Sequence, residues 1–354
     1  MRSSCFILFI LFSVVGCTQG ILGVANPKIP PTNYSEFEAM AAKVNYRRLD
    51  KNPIITYDLT SDWKARQVHF PFVIENPNDP DSLIMFYGGG SVLIGPSYYS
   101  IGRADASKAN PYTWVEYAGN PLFEPSDFSV GTIVGVDDAW WNPDENRFEL
   151  ACCTYAIGLG SSSLGKYYSD DGYTFTYEGT LIGPTDDETF LGNSGILRDG
   201  ATWYCAYTYR TAGAVLPGVR IASSVDEGAT WTKHGDFLSL GSSGAYDDKY
   251  MEGVQFLKVG SDYILNYGSA KNNGGTPNIV FSGSLAHSST PLGTYTKSSI
   301  NPFFEKSASG WDSTQVSCIV VFNVIEPWLV FYQGTASGGD YNLALWSMGM
   351  ATFY

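Results

Sequence analysis

Charge is scarce in this sequence. Only 16% of its 354 residues are Asp, Glu, Lys or Arg. Amphipathic helices need Leu, Ala, Glu and Lys at a 3.6-residue period, so a helical protein is not what this composition makes. Histidine is rarer, at three residues, and the six cysteines include no Cys-x-x-Cys or zinc-ligand spacing. A metal centre of the zinc type therefore has no signature here. Positive charge is short as well: 21 Lys and Arg stand against 35 Asp and Glu, a net charge of −14. Nucleic acid and anionic membrane surfaces would be repelled. A neutral or cationic ligand is easier to accommodate, and an anionic one needs a local Arg or Lys to offset the general field.

Long apolar runs are missing except at the start. MRSSCFILFILFSVVGCTQG, residues 1–20, has a short basic beginning, an apolar run and small residues. It reads as an export signal, too short and wrongly flanked for a lasting transmembrane helix. Val14-Val15-Gly16-Cys17 also resembles a bacterial lipoprotein processing box with Cys17 as the lipidated residue. The expected location is secreted, periplasmic or cell-surface, with no membrane-spanning segment and a lipid anchor at Cys17 as the one membrane attachment to test for.

What is abundant is aromatic residues, at 15%, and glycine, at 38 residues. That mixture suits many short strands joined by tight turns. YDDKYMEGVQFLKVGSDYILNYGSA, from Tyr246 to Ala270, reads as an acidic lead-in, a strand, a Gly260-Ser261-Asp262 turn and a second strand. The frame recurs in ARQVHFPFVIENPNDPDSLIMFYGG, VDDAWWNPDENRFELACCTY, LGNSGILRDGATWYCAYTY and WDSTQVSCIVVFNVIEPWLVFYQG. Internal repeats fix an architecture before any motif is weighed. A four-stranded blade cannot bury both faces alone, so five must pack radially. The predicted fold is an all-β, five-bladed β-propeller. RRLDKNPIITYD matches the end of a unit without its beginning, and LALWSMGMATFY supplies a last strand, so strands from both termini are expected to close the ring. The expected organisation is a signal at 1–20, a lead-in at 21–45 with one short helix capped by Ser35, and a single propeller domain at 46–354. Cys152, Cys153, Cys205 and Cys318 all fall in strand-like runs and read as buried free thiols. SVDEGATW and the degraded SDDGYTF match an Asp-box pattern, a hairpin device rather than a chemical one.

First strands of propeller blades line the central channel, so residues at equivalent positions converge from distant parts of the sequence. The candidates are Arg66, Gln67 and His69; Asp137 and Asp138; Asp187, Glu188 and Asn193; Asp247, Asp248 and Glu252; and Asp312 and Gln315. So many carboxylates aimed at one opening repel one another unless a proton, cation or polarised substrate is present. Channel-bound or structural calcium is allowed by this crowding, but no ligand spacing supports it and no cofactor is expected. Paired carboxylates are what glycoside hydrolysis requires, one donating a proton to the leaving oxygen and one handling water or the sugar. Trp140, Tyr246 and Trp311 beside them would offer flat faces to sugar rings.

On these segments the chain resembles the five-bladed β-propeller glycosidases that act on arabinan, xylan, fructan and algal galactans. MEGVQFLKVGSDYILNY is similar to the stretch that carries their general acid, which implies that role for Glu252. VDDAWWNPDENRFEL is similar to a segment whose Asp tunes the acid, which implies Asp138. Two departures stand out. Their base is an Asp on the first blade, where this chain has Gln67, His69 and Phe70, and their acid usually comes from the third blade, where this chain offers Asn193. The resemblance implies a carbohydrate substrate and a secreted glycoside hydrolase. Glu252 is then the acid, Asp138 orients it, and His69 or Asp312 handles water; Arg66, Gln67, Trp140, Asp187, Asn193, Tyr246, Asp248 and Trp311 line the sugar site. The alternatives are a carbohydrate-binding propeller that has lost its base and a sialidase-like or lyase-like enzyme.

Overall fold

The computed structural model describes residues 30–42, 46–91, 98–128, 132–155, 162–185, 187–212, 216–274, 279–337 and 344–353. The proposed signal and Cys17 lie outside the described residues. A helix, α1 (Tyr34–Ala41), precedes the propeller. Its N-cap is Asn33, not the expected Ser35: the Asn33 side chain accepts from the Glu36 amide, satisfying one of the unpaired N–H groups of the first turn. Phe37 and Ala41 are buried against Leu257, Trp328 and Phe353.

Five four-stranded antiparallel sheets follow. Strand β1 (Tyr46–Arg48) is set aside for the last of them. Blade 1 is β2 (Gln67–Glu75), β3 (Ser82–Ser91), β4 (Tyr98–Ser107) and β5 (Asn110–Glu116). Blade 2 is β6 (Thr132–Asn142), β7 (Arg147–Tyr155), β8 (Ser162–Ser169) and β9 (Thr176–Ile182). Blade 3 is β10 (Glu188–Asp199), β11 (Thr202–Thr211), β12 (Gly218–Ser224) and β13 (Thr232–Ser239). Blade 4 is β14 (Tyr250–Val259), β15 (Asp262–Asn272), β16 (Ile279–Ser288) and β17 (Thr296–Lys297). Blade 5 runs outward from β18 (Gln315–Phe322) through β19 (Leu329–Thr335) and β20 (Ser347–Phe353) to β1. Tyr46, Arg47 and Arg48 pair with Phe353, Thr352 and Ala351, so the ring closes with strands from both ends of the chain.

Two features repeat around the ring and position the site. Each inner strand carries a β-bulge at the same depth, between His69 and Phe72, Val136 and Asp138, Gly192 and Gly195, Glu252 and Gln255, and Ser317 and Val320. A bulge bends a strand and re-aims its side chains. Four of the five hold a left-handed residue: Phe70, Asn193, Gly253 and Cys318, with φ of 47°, 50°, 59° and 49°. Three of these have a Cβ, and such backbone costs about 1–3 kcal/mol per residue and clusters at functional sites.

The second feature is a fully buried tyrosine on the second strand of four blades, Tyr87, Tyr207, Tyr267 and Tyr332. In blade 2 this position is Cys152, and Tyr167 from β8 supplies the ring instead. Buried hydroxyls need partners. Tyr87 donates to Glu116 at 2.7 Å, Tyr207 to Glu188 at 3.1 Å and Tyr332 to Asp312 at 3.1 Å, while Tyr267 meets the Tyr246 hydroxyl at 3.3 Å. The four described cysteines are free and buried.

Candidate active site

The inner strands begin at one opening of the channel and end at the other. Glu252 is the third residue of β14, just before its bulge, and so lies towards the first opening. Only 8% of it is exposed. Ser317, at the same position of blade 5, donates its hydroxyl to Glu252 Oε1 at 2.6 Å. Burial pushes the Glu252 carboxyl up to about 7, against the Ser317 hydrogen bond and the nearby Arg210 guanidinium, which hold it down. A carboxyl poised there holds a proton near neutrality and can still release it, the property general acid catalysis needs. Arg210 pairs across the strands with Phe190 and places its guanidinium 5.0 Å from the centre of that ring. Phe190 in turn packs with Leu216, Cys153 and Tyr250.

His69 holds the matching position on blade 1, so His69, Ser317 and Glu252 come from three adjacent blades at one depth. The ring of His69 is buried edge-on against Phe70 and Tyr99. Neither ring nitrogen has a hydrogen-bond partner among the described residues. Burial holds the imidazole far below its ordinary range, at about 3, so it is neutral. The remaining two blades carry glycines, Gly135 and Gly192, whose missing side chains are replaced by the Phe70 ring and the Cys153 thiol.

Asp137, expected beside Asp138 at a strand entry, sits at the middle of the channel. It lines a constriction of about 20 Å³ with Phe70, Asn193, Gly253 and Cys318. Its carboxylate accepts from the Cys153 amide and from the amide and hydroxyl of Ser194, which ties blade 2 to blade 3. Burial pushes this carboxyl up to about 7 against those donors. Asp138 faces elsewhere. It accepts from the Ile196 amide at 3.0 Å, stands 3.7 Å from Arg198, and lines a cavity of about 280 Å³ at the far opening. Burial raises its carboxyl to about 6 against the Arg198 charge. The expectation that Asp138 orients Glu252 finds no contact to carry it: Asp138 bonds blade 3 and lies at the opening opposite the one where Glu252 stands.

The other expected carboxylates do not converge on the channel either. Asp312 pairs with Arg48 at 2.7 Å and accepts from Tyr332. Asp187 is exposed and pairs with Arg220 at 2.9 Å. Asp248 caps a turn, accepting from the Gly244 and Asn272 amides. Tyr246 is held by Tyr267 and by the Asn301 amide group, Trp311 stacks on Tyr332, and Trp140 is buried beneath the Arg198 guanidinium. Most of these contacts lie within a single blade, and the Trp140–Arg198 contact joins blades 2 and 3. Gln67 accepts from the Tyr99 hydroxyl and Arg66 flanks it at the first opening, while Asn193 stands in the constriction. Both Asp boxes are hairpin locks: Asp171 and Asp226 accept from the Thr174 and Thr230 amides. Among the described residues no group of three or more His, Cys, Asp or Glu could hold a metal ion, and no helix is long and apolar enough to cross a membrane.

Solved structures share this architecture. One is a putative glycosidase from Bacteroides thetaiotaomicron, with a TM-score of 0.65 and 14% identity over 87% of this chain and 97% of that one. The fold is that of the five-bladed glycosidase propellers. The catalytic domain of a GH62 α-L-arabinofuranosidase from Coprinopsis cinerea matches at a TM-score of 0.62 and 12% identity, covering 87% of this chain and 97% of its own. A β-1,2-mannobiose phosphorylase from Listeria innocua matches this glycosidase-propeller fold at 0.63 and 15%, covering 87% and 96%. At such identities the likeness is one of fold. No protein-family profile matches the sequence, and no curated protein matches it.

Of the residues that shape the first opening, Ser317 and Arg210 were missed in the sequence. Ser317 had a signal: aligning MEGVQF with VSCIVV sets it at the position of Glu252. Arg210 had none, because it lies on a second strand.

Proposed function

We propose that the protein is a glycoside hydrolase whose general acid is Glu252. The observation that carries this reading is a buried carboxyl at the mouth of an inner strand, raised to about 7 and held by one neutral donor, Ser317. Glu252 delivers its proton to the glycosidic oxygen as the bond to the anomeric carbon breaks. Water adds to the anomeric carbon as that bond breaks and its proton leaves to solvent, from which Glu252 is reprotonated. His69 is assigned to orienting the water, its neutral ring having an unshared nitrogen lone pair to accept a hydrogen bond from it. The substrate is a plant or algal poly- or oligosaccharide, and export to the cell surface or medium fits a polymeric substrate.

The test is a screen of the purified protein against arabinan, xylan, fructan and algal galactan oligosaccharides, followed by Glu252→Gln on the best substrate. Losing a general acid costs ~10²–10⁴ in rate. The loss should shrink sharply on a nitrophenyl glycoside, whose leaving group needs no proton. Full activity of Glu252→Gln on the natural glycan would remove the assignment.

One observation favours a second reading. The blade 1 inner strand presents Gln67, His69 and Phe70 to the first opening and no carboxylate. Sugar binding without turnover of any glycan would move the protein to the carbohydrate-binding class.

A further inference from the structure

Of the eighteen described Lys and Arg residues of this acidic chain, twelve hold a carboxylate within 4 Å. Ten described Lys or Arg side chains stack over aromatic rings, and eight of them also hold a carboxylate within 4 Å. The two that do not are Arg210 and Lys249. Both stand at the first opening. Arg210 is near the end of β11, opposite the beginning of β10, and rests on Phe190; Lys249 immediately precedes β14 and lies 5.4 Å from the centre of the Tyr250 ring. Phe190 and Tyr250 pack around Leu216, whose carbonyl accepts from the Met251 amide, the residue before Glu252. Two exposed cations, propped on aromatic rings and unpaired by any described carboxylate, thus flank the candidate acid on the blade 3 and blade 4 side.

In a chain of net charge −14 an uncompensated pair of cations is the local offset that an anionic ligand needs. Ring stacking fixes an Arg while leaving its N–H fork free, and a fixed guanidinium binds the planar oxygens of a carboxylate or the oxygens of a sulfate in bidentate fashion. We propose that the glycan taken at the Glu252 opening carries an oxyanion, a uronate carboxylate or a sulfate ester, bound by Arg210 with Lys249 beside it. The proposal rests on the reading of this opening as a glycan site and names the substrate class. It replaces the neutral glycan that the acidic composition favours.

The experiment uses the full chain and three sets of oligosaccharides: neutral xylan and arabinan fragments, oligogalacturonates, and sulfated galactan fragments. Binding is measured by calorimetry on Glu252→Gln, and hydrolysis on the unsubstituted protein. Hydrogen bonds to a charged group predict a preference of about 10- to 100-fold for one anionic set over the neutral one, weakening as salt is raised. Whichever anionic set binds identifies the oxyanion as carboxylate or sulfate. Arg210→Gln should abolish the preference, Arg210→Lys should restore part of it, and Lys249→Gln should lower it. Equal binding and turnover of neutral and anionic glycans, unaffected by Arg210→Gln, would overturn this proposal and leave the hydrolase reading intact. Turnover of a neutral glycan that requires added inorganic phosphate would also overturn it, by giving Arg210 a free anion to bind. Binding of no glycan in any set would overturn both.

Discussion

Ser317 and Glu252 are joined by a 2.6 Å hydrogen bond across the seam between blades 5 and 4. The bond is the only one to the Glu252 carboxyl among the described residues, and it comes from a neutral hydroxyl. Arg210 acts on the acid through its charge alone and makes no hydrogen bond to it, so burial still wins and the carboxyl keeps its proton near neutrality.

That relationship makes the first prediction. The Ser317 hydroxyl holds the Glu252 carboxyl down, and burial holds it up. Ser317→Ala should therefore raise it further, moving the alkaline limb of the kcat/KM profile to higher pH. Ser317→Thr should keep the limb in place. An unmoved limb in Ser317→Ala would show that the profile reports another group.

Asp137 is a clamp between blades. Replacing it with Ala leaves the amides of Cys153 and Ser194 buried and unpaired. Each buried donor without a partner costs about 1–3 kcal/mol, so Asp137→Ala should lose ~2–6 kcal/mol in urea unfolding. Asp137→Asn should lose less, because its carbonyl can still accept one amide.

His69 sets an acid sensitivity. Its folded value is depressed to about 3, whereas an unfolded histidine takes a proton near pH 6.5. The stability contributed by keeping it neutral is fully present above pH 6.5 and is lost as pH falls towards 3. The slope is up to ~1.4 kcal/mol per pH unit. In His69→Phe, stability between pH 4 and 6 should fall less steeply with acid than in the parent protein, read from urea midpoints across that range. Identical slopes would mean that His69 is protonated in the folded state.

Burial pushes the thiols of Cys152, Cys153 and Cys318 well up from their ordinary range. None of the four described thiols should react with an aromatic disulfide reagent at pH 8 in the folded protein, and all four should react in denaturant. Rapid reaction of any one in the native state would place it at an open surface.

The ring could be read in the sequence because its unit is local: a strand, a tight turn and a second strand recur five times, and each copy carries its own evidence. The closing seam was legible from RRLDKNPIITYD, a fragment with no first half. Glu252 stood out because a Glu between Met251 and Gly253 has no turn to cap. Asp187, Asp248 and Asp312 looked alike because each precedes an inner strand. What separates them from Glu252 is the kind of partner each finds: Arg220 for Asp187, backbone amides for Asp248 and Arg48 for Asp312, against one neutral hydroxyl for Glu252. Asp137 and Asp138 are neighbours on one strand, and only the bulge decides which faces the constriction and which the far opening. No pattern in VDDAWW reveals where that extra residue falls.

Blade 5 holds Ser317 on its inner strand and both chain ends on its outer two. A load that pulls Tyr46 from Phe353 falls first on the β1–β20 seam, which is three residue pairs long. Two more strand pairings, β20 with β19 and β19 with β18, must part before tension reaches the hydroxyl that holds Glu252. Strain at the seam that closes the ring is therefore taken up before it reaches the acid.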